Sequence, residues 1–124
     1  MARSSEESAA EHQAVLSPAM FHVLLALADG EKHGYAILKE VKRRTGGKVQ
    51  LSAGTLYGII KRLNGEDWIA ESNNRPAAGL DDERRRYYRL TEFGRRIAVA
   101  EARRMEELLA MARNKKLFGK PELA

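Results

Sequence analysis

The sequence predicts a mostly α fold with a small β-hairpin: a winged helix-turn-helix followed by one long C-terminal helix. Three observations predict it. Apolar residues return at three- and four-residue steps in three successive segments between Ser17 and Leu63. Two short segments, 68–72 and 84–90, have strand character and flank a loop containing Pro76 and Gly79. The stretch from Glu92 to about Asn114 then spaces its apolar residues like heptads. With 124 residues, the chain suffices for one domain with a real core.

Residues 1–15 are polar and rich in Ser, Ala and Glu, with Ser4 and Glu7 at capping-box spacing. An N-terminal arm and a short helix both fit them. The winged domain spans 16–91. Its first helix starts at Ser17-Pro18, a capping residue followed by proline at the first helical position. Phe21, Leu24, Leu25 and Ala28 form its buried stripe, and Gly30 after Asp29 marks its end. The second helix runs from about Gly34 to Thr45 and is stopped by Gly46-Gly47. Ile37, Leu38 and Val41 face the core, while Tyr35, Lys39 and Lys42 share another face with Arg43 nearby.

Ser52 caps the third helix, whose apolar stripe is Leu56, Ile60 and Leu63, with Ile59 at the edge. The helix ends near Asn64-Gly65. Its opposite face carries Gly54, Tyr57, Gly58 and Lys61, flanked by Thr55 and Arg62. Two glycines in a helix cost roughly 1 kcal/mol each against alanine. Their presence beside an aromatic residue and two cations suggests close approach of another surface, such as a polyanion. An ordinary core helix with a solvated face fits the same pattern.

In the hairpin, Tyr88 and Leu90 point to one face and Arg85, Tyr87 and Arg89 to the other. Trp68, at the start of the first strand, reads as a core corner rather than as part of a ligand pocket. Thr91 caps the long helix, 92–114, in which Ala98, Ala102, Met105, Leu109 and Ala112 form a narrow seam. Such a seam pairs with its own domain, with a second subunit, or with both; dimerisation is the expectation. Residues 115–124 read as a tail.

Lys and Arg number 22 against 17 Asp and Glu, a net charge of +5. The distribution is more telling than the total. From His33 to Arg62 the cations are Lys39, Lys42, Arg43, Arg44, Lys48, Lys61 and Arg62, opposed only by Glu40. Such a balance suits a polyanionic partner. The absence of cysteine excludes disulfides, thiolate metal sites and a cysteine nucleophile. His12, His22 and His33 match no metal-ligand spacing. No nucleophile–base pair, phosphate-cradling loop or metal cluster suggests an enzyme, and no cofactor is expected. With no membrane-length apolar run and no signal-peptide core, a cytoplasmic protein is expected.

Three motifs occur in order: His33-Gly34-Tyr35; Leu51-Ser52-x-Gly54-Thr55-Leu56-Tyr57 leading to Lys61-Arg62-Leu63; and Arg85-Arg86-Tyr87-Tyr88-Arg89-Leu90-Thr91, followed by Gly94. With these, the chain resembles the PadR-like transcriptional regulators over roughly residues 16–112, and the single C-terminal helix is similar to their short subgroup. The resemblance implies a dimeric bacterial repressor that binds inverted-repeat operators in double-stranded DNA. Many members are released from DNA by small aromatic or hydrophobic effectors. Two departures stand out. Position 58 is glycine where relatives usually carry proline or alanine, and the wing loop is acidic at Asp81, Asp82 and Glu83.

On that reading Ser52, Thr55, Tyr57 and Lys61 form the reading surface. Tyr57 would bond a phosphate or pack on a thymine methyl, and Lys61 would reach a phosphate or a guanine edge. Tyr35, Lys39 and Lys42 would position phosphates, and Arg84, Arg85 and Arg86 are wing cations. The rival readings are a winged-helix protein-interaction module without DNA binding, supported by the acidic loop, and a regulator of another winged-helix family.

Overall fold

The structure is a computed structural model that describes residues 16–72 and 86–119. Its elements are α1 (Pro18–Leu27), β1 (Lys32–His33), α2 (Gly34–Arg44), α3 (Ala53–Gly65), β2 (Ile69–Ser72), β3 (Tyr87–Leu90) and α4 (Glu92–Asn114). The arm 1–15, the wing loop with its acidic residues, Arg84, Arg85 and the end of the tail lie outside the described residues.

Helix α1 starts as expected: the Ser17 hydroxyl accepts from the Met20 N–H at 3.1 Å. Its buried face is broader than the predicted stripe. Met20, Phe21, Val23, Leu24, Ala26 and Leu27 are buried, whereas Leu25 and Ala28 are only half-buried. The cause is position. Helix α1 packs against α2, α4 and β3, so neighbours cover it on several sides. Its C-terminal carbonyls are satisfied by side chains, one near and one distant: Lys32 Nζ donates to Ala26 O at 2.6 Å and Arg95 to Ala28 O at 2.9 Å.

The expected two-stranded hairpin is a three-stranded antiparallel sheet of order β1-β3-β2. Strand β1 pairs Lys32 with Tyr88 and His33 with Tyr87, while β2 pairs Ile69 with Leu90 through Ser72 with Tyr87. A two-residue strand carries no alternation, so only its tertiary pairing defines it. In β3, Tyr88 is buried and Arg89 exposed, in keeping with the predicted alternation.

Helix α3 extends through Gly65, and the left-handed residue that ends it is Asp67 (φ 63°). The Trp68 N–H reaches back to Leu63 O at 3.0 Å and the Asp67 N–H to Asn64 O at 3.1 Å, a Schellman closure. Helix α2 closes in the same way on Gly46 (φ 62°), with the Gly47 N–H on Lys42 O at 2.8 Å. Thr91 joins the sheet to α4. Its hydroxyl donates to Asp67 O (2.6 Å) and accepts from the Gly94 N–H (2.9 Å), while its own N–H donates to Trp68 O (3.1 Å). Gly94 is required here, because a Cβ would lie 1.8 Å from Trp68 O.

The core gathers the apolar faces of α1, α2 and α3 with Trp68, Ile69, Tyr88 and Ile97. Trp68 is buried in it, and its indole N–H has no partner among the described residues. Among those residues no helix is long and apolar enough to cross a membrane.

Candidate nucleic-acid interface

The core-facing stripes of α2 and α3 force their other faces outward. Leu56, Ile60 and Leu63 are buried, so Gly54, Thr55, Tyr57, Gly58, Lys61 and Arg62 are all exposed. Ser52 caps α3 as predicted: its Oγ accepts from the Thr55 N–H at 3.1 Å and its own proton goes to Thr55 Oγ1 at 3.0 Å. With Ser52 donating to it, the Thr55 hydroxyl keeps its proton free to point away from the helix. A Cβ at Gly54 or Gly58 would meet nothing within 4 Å, so the fold itself does not require glycine at either place.

The start of α2 is built differently. His33 is its N-cap, its Nδ1 accepting from the Ala36 N–H at 3.2 Å. The imidazole stacks on Tyr35 (6.4 Å between centroids) and stands edge-on to Tyr87 (5.3 Å). Lys39 Nζ lies 5.4 Å from the centre of the Tyr35 ring. A ladder of cation and rings therefore runs from the face of α2 to β3. Tyr35 itself is 57% exposed.

Two grooves meet on this side. One of about 280 Å³ is lined by Tyr35, Leu38, Lys39, Lys42, Gln50 and Leu51. The other, about 540 Å³, shares Tyr35, Lys39 and Lys42 and adds Arg43, Gly46 and Gly47. The predicted phosphate-positioning residues thus come together. Gln50 escaped the sequence reading because the 46–51 linker has no periodicity to place it. Its amide donates to Gly47 O at 3.1 Å, which holds it beside the groove.

The cations of β1, α2 and α3 divide into two sets. Glu40 is buried and bound by Arg44, with Lys32 Nζ 3.6 Å away; Lys32 also pairs with Asp29 at 2.6 Å. The Lys32 ammonium, by hydrogen bond and by charge, holds the Asp29 carboxyl below the usual carboxylate range. The one acid of the basic stretch is therefore neutralised inside the fold, and Arg44 is spent on it. Lys39, Lys42, Arg43, Lys61 and Arg62 are exposed and make no ion pair among the described residues.

Of the predicted wing cations only Arg86 is described. It is exposed and pairs with Glu71 across the sheet at 3.4 Å. Arg89, also exposed, faces solvent from β3. Burial, then the Glu71 carboxylate and then Tyr57, push the Tyr88 phenol above its ordinary value.

The predicted α4 seam splits. Ala98 and Met105 pack against the domain's own core, Ala112 is half-buried, and Ala102 and Leu109 are exposed. Val99, Leu108 and Met111 are exposed beside them, leaving an apolar surface on α4. On the inner side Glu101 is only 1% exposed and is gripped by Arg104 through two hydrogen bonds of 2.8 and 2.6 Å.

Three helices, a sheet with a wing position and a basic outer face on α2 and α3 define a winged helix-turn-helix protein. The family model described as the transcriptional regulator PadR-like family matches residues 23–100, and the chain belongs to that family. Its members are transcriptional regulators rather than enzymes. An uncharacterised protein X of Lysinibacillus sphaericus is 29% identical over 73 residues, which cover 59% of this chain; the chain spans 64% of that relative's length. A PadR family regulator from Clostridium difficile superposes with a TM-score of 0.67 at 23% identity, over 79% of this chain and 97% of that one. Bacillus subtilis PadR, solved with operator DNA, gives a TM-score of 0.55 at 23% identity, over 66% of this chain and 46% of that one. At these identities the likeness is one of fold.

Proposed function

We propose that the protein is a sequence-specific DNA-binding transcriptional regulator: a dimeric repressor on an inverted-repeat operator, released by a small aromatic or hydrophobic effector. One observation carries the DNA reading. Five cations on α2 and α3 stand exposed and make no ion pair among the described residues, while the single acid between them is buried and neutralised. Helix α3 enters the major groove with Ser52, Thr55, Tyr57 and Lys61 leading. Tyr35, Lys39 and Lys42 engage phosphates from α2, and Arg84, Arg85 and Arg86 are the further cations assigned to DNA contact. Family membership supports this reading, as does the operator-bound state of Bacillus subtilis PadR.

The dimer is supported by the exposed apolar residues of α4, with Ala102, Leu109 and Ala112 at its centre and Ala98 and Met105 shared with the domain core. Two-fold symmetry then sets half-sites about 34–36 Å apart, or a multiple of that distance. The effector rests on family membership alone.

The test is binding of the purified protein to the DNA upstream of its own gene, with salt titrated and unrelated DNA as competitor. Binding that survives competitor and weakens steeply with salt is expected. Absence of binding at low salt refutes the reading and favours a protein-interaction module.

A further inference from the structure

Gly34 is the buried first residue of α2, and the Tyr57 ring from α3 lies across it. A Cβ on Gly34 would stand 2.7 Å from the Tyr57 hydroxyl oxygen, 3.1 Å from Cζ and 3.4 Å from Cε1. The phenol occupies a notch that only glycine leaves open. The backbone at Gly34 is not left-handed, so conformational freedom does not explain the glycine; the close approach does.

The contact also joins three parts of the molecule. Gly34 follows His33, whose ring meets Tyr87 of β3, and precedes Tyr35, which stacks on His33. The opposite side of α3 is held by a single apolar stripe, Leu56, Ile60 and Leu63. A helix held along one stripe can still roll about its axis. A roll of about 10° moves side-chain tips, about 5–6 Å from the axis, by roughly 1 Å. Binding constellations must be held within about 0.5 Å, so this freedom matters. The Tyr57 ring reaches from the exposed side of α3 to the start of α2 and blocks that roll. Its hydroxyl makes no hydrogen bond among the described residues, so the ring does the work.

We infer that Tyr57, seated on Gly34, is a positioning residue: it fixes the orientation of α3 for DNA reading instead of touching the DNA itself. The inference rests on the DNA-binding function proposed above and refines the role given there to Tyr57.

The experiment measures affinity for the upstream duplex and for a scrambled duplex, with melting temperature alongside, for Tyr57→Phe, Gly34→Ala, the double variant and Lys61→Ala. Tyr57→Phe keeps the ring and binds within about twofold of the unaltered protein, which excludes a hydroxyl–phosphate contact, and an upstream duplex with deoxyuridine in place of thymidine binds equally well, which excludes packing of the ring on a thymine methyl. Gly34→Ala displaces the ring and loses about tenfold on the upstream duplex but little on the scrambled one. Adding Tyr57→Phe to Gly34→Ala removes the atom at 2.7 Å and restores most of the loss. A merely structural contact would move the melting temperature without changing the ratio of the two affinities, and that result overturns the inference. So does a large loss in Tyr57→Phe with none in Gly34→Ala, which is the pattern of direct phosphate contact. Where Lys61→Ala weakens binding and Gly34→Ala does not, the DNA reading stands and the positioning role falls. Where the unaltered protein binds both duplexes alike, the DNA reading falls and takes the inference with it.

Discussion

Replacing Gly94 with alanine tests the joint between the sheet and α4. The new Cβ would lie 1.8 Å from Trp68 O, 2.7 Å from Trp68 C and 2.9 Å from Trp68 Cα. All three are backbone atoms, so no side chain can swing aside. Real Cβ atoms essentially never come within 3.0 Å, so the start of α4 must retreat from the Trp68 backbone by more than an ångström. Such overpacking costs about 1–3 kcal/mol. The retreat also disturbs the Thr91 cap and its bonds to Asp67 and Trp68, worth about 1 kcal/mol more. Alanine returns about 1 kcal/mol in helix propensity. A net loss of about 2 kcal/mol lowers the thermal midpoint by roughly 6–10 °C in a chain of this size. Gly58→Ala is the internal control: its Cβ meets open space, so the same substitution should raise the midpoint by a few degrees. Thermal unfolding followed by circular dichroism measures both. Equal midpoints for Gly94→Ala and the unaltered protein would refute the close approach of α4 to Trp68.

Other perturbations separate the groups of charge and the proposed interfaces. Lys42→Ala should flatten the salt dependence of DNA binding by about one unit of log–log slope. Arg44→Ala should leave that slope alone and cost about 1 kcal/mol of stability, because Arg44 serves Glu40 and Lys32 still stands near it. Equal slopes for the two variants would contradict the division of the cations. Leu109→Glu should give monomers by light scattering with the domain's melting little changed, since Leu109 is 50% exposed and outside the core; a persistent dimer would place the interface elsewhere. Tyr88 should titrate above the ordinary tyrosine range in alkaline absorbance measurements. Its raised value means that its contribution to stability is present below about pH 10 and lost as pH climbs through the folded value. Tyr88→Phe should remove that late component.

The position of each helix was readable locally. Ser17, Ser52 and Thr91 cap the helices they were expected to cap, because a cap needs only a hydroxyl three residues before an orphan N–H. The exposed face of α3 followed from its apolar stripe by geometry alone. The three motifs were likewise visible as strings, but their reasons were not. Gly94 answers to Trp68 and Gly34 to Tyr57, each pair far apart in the chain.

Periodicity reports which residues share a face, and composition reports total charge; both are properties of one segment. Helix existence, the basic excess of 33–62 and the family resemblance were therefore determined by the sequence itself. The Arg44–Glu40 pair lies one helical turn apart and is local, but the burial of Glu40 beside Lys32, which fixes that pair, was decided by tertiary contact. Strand β1 exists because β3 lies beside it, and the α4 seam divides because the domain covers only part of that helix. These features depend on which groups meet across long sequence separations, and desolvation and steric exclusion act only once they have met.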